Sequence, residues 1–410
     1  MFGTLFTQAF STYTLPVIVH NVSPINSPLP YFRLHIIRSN PSVKRSLLDI
    51  LNSKPYRFGF TKDQLKHLLQ KDLVQVWVSS VRVKITIPPH DNDFFDRIMK
   101  APLSPYSVIT YNQHIHETPV PTPERLKILS STNSSLLAIN KPPGIPVHGV
   151  QKYFYNTIQS MLAEQLACKQ VTLYPLHRLD RLTSGVLLWA TNPTTVAKFK
   201  NRNAWHRKKI YLARVKGRLP NFSTTCTDDL VYLYPTRHMV RVFQGSITSF
   251  KEVCYDEKRD ESVICAFLNT GFPHQIRIHL RNLGCPIIDD PLYSKTGKYK
   301  EITRSRNDVT DAYWEEVIQR SKEIQSKKRS VDSASCSICN APKYHVPKTN
   351  EHGDYAICLH AWRYEYKGVP GGPYAGERHS YETPIPSWAI PIGTNEEFVK
   401  GIIVYHTTSV

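Results

Sequence analysis

The chain has 410 residues, enough for one large core with smaller additions, and no apolar run approaches the roughly 20 residues that span a bilayer, so no membrane partner is expected. Lys and Arg outnumber Asp and Glu by 52 to 33, a formal charge of +19 that fits a nucleic-acid or other anionic partner. Eight cysteines spread over this length exclude a disulfide scaffold and suit a reducing compartment.

Residues 1–48 carry no Asp or Glu, no arginine precedes Arg33, and Pro16, Pro24, Pro28 and Pro30 interrupt any helix. Taken to residue 54, the stretch reads as a leader or flexible extension: a mitochondrial presequence, or an untargeted tail on a cytoplasmic or nuclear protein. Between Thr61 and Lys71, Leu65, Leu68 and Leu69 fall at i, i+3 and i+4, which predicts an amphipathic helix with a basic outer face. Val74, Val76 and Val78 then alternate with Gln75 and Trp77, as in a strand. Residues 55–124 thus form a small helix-and-strand module, ending in a linker marked by Pro119 and Pro121. His114, His116 and Glu117 lie close in sequence, but strand alternation turns Glu117 away from both histidines and argues against a metal site.

A larger domain opens near Arg125 and runs to about residue 400. Leu136 to Ile139 predict a buried strand, and Asn140 to His148 a loop stiffened by three prolines and turned at Gly144. Lys141 in that loop suits a phosphate and equally suits bracing the loop. Asn156 to Leu166 predict a helix with Ile158, Met161, Leu162 and Leu166 inward. His177 to Gly185 form a polar loop leading onto the apolar run Val186 to Ala190, a buried strand. Asp180 sits among arginines, which favour its ionised form. Such a carboxylate serves as a nucleophile, a metal ligand or a structural ion pair, and composition does not choose.

A basic run follows (Lys198, Lys200, Arg202, His206, Arg207, Lys208, Lys209), suited to phosphate contacts, and then a strand bearing Tyr211. Gly271 and Pro273 predict a turn into a helix whose Ile276, Leu280 and Leu283 face a core, with Gly284 at its end. His274, Arg277 and Arg281 share another face of it. Residues 294–335 form a charged insertion without an apolar stripe. Cys336 and Cys339 make one Cys-x-x-Cys, half of a zinc site that Cys358 with His345 or His352 would complete; a reduced structural pair is the competing reading.

His-Arg-Leu-Asp-x-x-Thr-Ser-Gly at 177–185 resembles the active-site signature of the RluA family of RNA pseudouridine synthases. Lys141-Pro-Pro-Gly144 resembles that family's first block, Lys208 to Gly217 its tyrosine block, and Thr270 to His279 its arginine block. Phe272 stands where relatives usually carry arginine. The Tyr111–Pro121 junction resembles a eukaryotic branch that includes tRNA-modifying enzymes and relatives fused to DRAP deaminases, and residues 55–124 resemble the small RNA-binding module of many relatives. The resemblance implies an α+β fold, with a mixed, largely antiparallel sheet and flanking helices. It implies uridine-to-pseudouridine isomerisation without a cofactor, Asp180, Tyr211 and Arg277 being catalytic. His177, Arg178, Thr183, Lys141, His274 and Gln275 are the expected substrate contacts. RNA is the expected partner, tRNA in its anticodon loop first, with rRNA and mRNA as alternatives and no obligate protein partner. A non-catalytic RNA-binding protein on the same scaffold competes, with Phe272 as its support. Deaminase activity is excluded, because none of the 17 histidines has Glu two residues later and Ser335, not proline, precedes Cys336.

Overall fold

The computed structural model describes residues 14–16, 25–26, 31–39, 45–53, 60–78, 83–84, 96–97, 99–104, 107–130, 135–149, 153–166, 172–234, 239–294, 319 and 355–407. They fall into two compact units, one holding residues 31–117 and the other residues 14–16, 25–26 and those from 118 onward.

In the smaller unit an antiparallel sheet runs in the order Tyr31–Arg38, Val108–Ile115, Val74–Val78, Val83–Lys84. The helix Lys62–Gln70 starts at a capping box: Thr61 Oγ1 accepts from the Gln64 N–H, and the Gln64 side-chain oxygen accepts from the Thr61 N–H. Its Leu65 and Leu68 are buried against Val74, Val76 and Ile109, as the spacing predicts.

The extension expected through residue 54 is corrected here. Tyr31–Arg38 pairs along its whole length with Val108–Ile115, and Leu47–Asn52 is a helix with Leu47 and Leu51 fully buried. An acid-free stretch fits a leader, but it equally fits a strand and helix that each hide one face. Residues 14–16 belong to the larger unit. Leu15 is fully buried and its N–H donates to Asp256 at 2.8 Å, while the Pro16 carbonyl accepts from Arg214 at 2.7 Å.

The larger unit is built on a ten-stranded sheet. Its strands are β1 (Lys127–Ile128), β2 (Leu136–Lys141), β3 (Tyr174–Pro175), β4 (Ser184–Ala190), β5 (Trp205–Lys216), β6 (Ser223–Cys226), β9 (Thr248–Asp256), β10 (Glu261–Leu268), β11 (Leu359–Gly368) and β12 (Arg378–Glu382). Between β6 and β9, β7 (Leu230–Tyr234) and β8 (Met239–Phe243) form a separate hairpin. The main order is β6-β9-β10-β5-β11-β4-β2-β1, with β12 beside β11 and β3 beside β4. Every pairing in this sheet is antiparallel except β4 with β11. The helices are α1 (Ile158–Gln165), α2 (Pro193–Lys200), α3 (Gln275–Asn282) and α4 (Glu396–Thr407).

β4 is covered on both faces, which is why its sequence is continuously apolar rather than alternating. Gly185, the second residue of β4, has φ +112°, and a Cβ there would lie 2.2 Å from the Ala361 carbonyl oxygen. Only glycine lets the two parallel strands approach so closely. A bulge between Ile210 and Tyr211 interrupts the β5–β11 register and re-aims the side chains around Tyr211.

Candidate active site

Asp180 lies in the loop between β3 and β4, its side chain 27% exposed. A turn bond from the Thr183 N–H to the Asp180 carbonyl (3.1 Å) shapes this loop, and Gly144 at φ +87° donates its N–H to the Arg181 carbonyl at 2.8 Å. Lys141, at the end of β2, is fully buried, and its ammonium donates to the carbonyls of Pro142 (2.9 Å), Arg181 (3.1 Å) and Thr183 (2.8 Å). Three N–H groups meet three carbonyls, two of them in the loop that carries Asp180. The expectation that Lys141 binds phosphate is corrected: it braces.

Burial, and then Arg181, pull the Lys141 ammonium down to about 7, against a smaller upward pull from Asp180. The folded chain therefore binds fewer protons than the unfolded one between that value and the ordinary 10.5, so this residue makes stability rise with pH across that window. Lys141→Met should abolish the dependence and leave three carbonyls unserved, at a cost of about 1–3 kcal/mol each where water cannot replace the donor. Urea unfolding should show the wild type gaining on the variant as pH rises from 7, by at most about 1.4 kcal/mol per pH unit. A pH-independent difference would refute the lowered pKa of Lys141.

Arg277 comes from the first turn of α3. Its Nε and Nη2 grip Asp290 at 2.7 and 2.9 Å, and Nη1 reaches Asp180 Oδ2 at 3.1 Å. Asp290 Oδ1 also accepts from the N–H groups of Leu292 and Tyr293. Burial alone would lower the Arg277 pKa, but Asp290 and Asp180 raise it, so the cation is permanent. For Asp180, burial pushes upward, while His274, Arg277 and Lys141 pull the carboxyl below its ordinary value. His274 exerts that pull only when protonated, and burial holds it at about 4, so near neutrality Arg277 is the fixed charge. Asp180 is an anion there.

The start of α3 is pinned by Gln275. Its Oε1 accepts from Thr270 Oγ1 and the Phe272 N–H, and its Nε2 donates to the Ile247 carbonyl and Thr248 Oγ1. That uses its whole ordinary bonding capacity, so its expected substrate contact is corrected to a structural one. His177 is corrected likewise: Nε2 accepts from the Leu188 N–H at 3.1 Å, and burial, then Lys209, keep the ring well below its ordinary pKa. Thr183 is 2% exposed, which withdraws its side chain from any substrate. Arg178 stands exposed on the loop. His274 faces the site, its Nε2 3.7 Å from Asp180 Oδ2.

Tyr211 is buried with its hydroxyl bonded to that of Tyr364 on β11, and burial, reinforced by Asp180, keeps the phenol protonated. Within the basic run, Lys198 pairs with Glu377 at 2.6 Å, and Arg207 donates to the carbonyls of Phe199 and Asn201. Those two cations serve the fold before any phosphate. Phe272 joins Leu230, Val231, Ile278 and Tyr293 in a small apolar cluster and lies 5.2 Å from the Phe243 ring, so the replacement of arginine has a packing reason. Cys336, Cys339 and the insertion from residue 295 to 335 lie outside the described residues, residue 319 aside. Cys358 is fully buried in the core, and no group of three metal-binding side chains occurs among the described residues. Asp290, Tyr293 and Tyr364 are site residues that sequence reasoning left without roles.

A loop aspartate kept anionic by an arginine that a second acid anchors, on a mixed sheet, makes a site built around an ionised carboxylate. Residues 135–282 match the family model described as RNA pseudouridylate synthase. Over 366 residues the chain is 30% identical to the mitochondrial tRNA pseudouridine(32) synthase of Saccharomyces cerevisiae, spanning 82% of this chain and 76% of that protein. It is 30% identical over 339 residues to the tRNA pseudouridine(31) synthase of the same yeast, spanning 72% and 80%. Human RNA Pseudouridylate Synthase Domain Containing 1 aligns at a TM-score of 0.41 and 19% identity, over 69% of this chain and 97% of that one. The chain belongs to the RNA pseudouridylate synthase family.

Proposed function

We propose that this enzyme converts uridine to pseudouridine in the anticodon stem-loop of tRNA, with Asp180 as the carboxylate that meets the nucleotide. The observation that carries the reading is the Arg277 bond to Asp180 Oδ2 at 3.1 Å, made by an arginine whose charge Asp290 already balances. The target base leaves its stack to reach the carboxylate. Exposed Arg178 is placed to fill the vacated space. The N1–C1′ bond breaks, the freed uracil turns, C5 bonds to C1′, the C5 proton leaves, and N1 takes up a proton in its place, so the product is an isomer of the substrate. Tyr211 lines the base, and exclusion of water protects the detached uracil.

The names of the two yeast relatives, which place their modifications at tRNA positions 32 and 31, support tRNA over rRNA or mRNA. The first also supports a mitochondrial location beside the cytoplasmic or nuclear one, a choice that cell fractionation makes. The test is nucleotide-resolution pseudouridine mapping of total RNA treated with purified wild type, with Asp180→Ala as control. New sites in tRNA anticodon loops are expected. Sites confined to rRNA or mRNA would overturn the substrate assignment.

A further inference from the structure

His274 has a backbone that histidine seldom adopts. It precedes α3 at φ 54°, in the left-handed region, which costs a non-glycine residue about 1 kcal/mol or more. The conformation places its ring between two specific groups. Nδ1 is 2.9 Å from the Tyr293 hydroxyl, and Nε2 is 3.7 Å from Asp180 Oδ2. Tyr232 of β7 meets the ring edge-on at 4.8 Å. The charged groups around it are Asp180 from the catalytic loop, Arg277 from α3, and Asp290 from the segment after α3.

The proton positions follow from these neighbours. The Tyr293 ring lies 5.0 and 5.4 Å from the Arg277 and Arg281 guanidinium carbons. Burial keeps its phenol protonated, so its O–H is available to donate. An imidazole that turns Nε2 toward a carboxylate needs its proton there, because a lone pair would be repelled. The Tyr293 hydroxyl can donate to Nδ1 or accept from it, so the carboxylate beside Nε2 sets the tautomer and Tyr293 then serves it as donor. Arg277 Nη1 hydrogen-bonds Asp180 Oδ2 as a cation at 3.1 Å, and His274 Nε2 stands 3.7 Å from the same oxygen, beyond hydrogen-bond length, with its N–H dipole directed at it. Among the described residues no hydrogen bond falls on Asp180 Oδ1.

We propose that Tyr293 locks His274 as the Nε2–H tautomer, and that His274 and Arg277 together hold Asp180 Oδ2 so that Oδ1 is the oxygen presented to uridine. His274 is a positioning residue. Its neutrality matters: a second full cation on Oδ2 would drain the carboxylate of basicity, whereas a neutral N–H orients it. The inference rests on Asp180 acting on uridine, and it adds which oxygen acts and what selects it.

The test joins spectroscopy with kinetics. In ¹⁵N-histidine-labelled full-length protein, the His274 ring signals are assigned by their loss in His274→Gln. At neutral pH the expected pattern is protonated Nε2 with an unprotonated, bond-accepting Nδ1. Tyr293→Phe should mix the tautomers, lower single-turnover kcat about three- to tenfold with KM nearly unchanged, and move the acid limb of the rate to higher pH. His274→Asn tolerates the left-handed backbone but falls short of Asp180, and should lose about tenfold or more; His274→Gln, which restores the reach, should recover part of the rate. An Nδ1–H ring or an imidazolium in the wild type at neutral pH would overturn the lock. Equal losses in Asn and Gln variants with an unshifted pH profile would overturn the positioning role. Failure of the enzyme reading is separate, since the wild type would then make no pseudouridine in any RNA while the tautomer could still be read.

Discussion

Asp180→Asn should make pseudouridine at least about ten thousand times more slowly than wild type, while folding and binding RNA normally. The amide is nearly the size and shape of the carboxylate, so the loop held by Lys141 and the turn bond from Thr183 keeps its form. What disappears is the anion. Arg277 retains its two bonds to Asp290, so no buried cation is stranded and stability should stay within about 1 kcal/mol of wild type. Single-turnover conversion of the mapped RNA, beside a binding isotherm and a urea melt, checks all three. A variant retaining a tenth of the wild-type rate would remove Asp180 from the chemistry.

Asp290→Ala should behave in the opposite way, with a large structural loss preceding the catalytic one. Asp290 is 1% exposed and supplies two of the three hydrogen bonds from Arg277 to carboxylates, besides accepting from two backbone N–H groups. Removing one partner of a buried pair strands the other, at a cost of about 3–5 kcal/mol. Arg277 would then lean on Asp180 alone, and a carboxylate that must satisfy a buried cation is a poorer reagent. The rate should drop about a hundredfold or more. Arg277→Met in the Asp290→Ala background should restore much of the stability but none of the rate. Recovery of activity in that double variant would refute the arginine's role.

These residues were unequally legible before the fold was known. Asp180 and Arg277 lie 97 positions apart, and it was the resemblance of their two sequence blocks to one family, not composition or periodicity, that suggested they belong together. The run from Val186 to Ala190 and the stripe Leu65, Leu68 identified their elements, because burial selects residue type directly. Lys141 and Gln275 misled for a common reason. Their side chains look made for ligands, and only the tertiary structure shows that nearby carbonyls, hydroxyls and an N–H group have already engaged them. Residues 31–52 misled in reverse, since an absence of acids carries no periodicity, and the described side chains from Arg33 to Arg38, with Ile37 buried among exposed and half-buried neighbours, offer little pattern to find. Asp290 gave no sign in the sequence, because a buried ion pair is invisible until both partners are known to be inside.

The parallel pairing of β4 with β11 has a kinetic consequence. Ser184 and His360 are joined side chain to side chain at 2.8 Å across 176 positions of chain, with Gly185 against Ala361 in the next register. During synthesis the strand that follows the Asp180 loop therefore emerges long before its neighbour, with that edge unpaired. Closing so long a loop is entropically slow, and an open hydrophobic edge invites pairing with another chain. The nascent enzyme thus passes through an interval in which its future centre is its stickiest surface, and truncation before residue 359 would make that interval permanent.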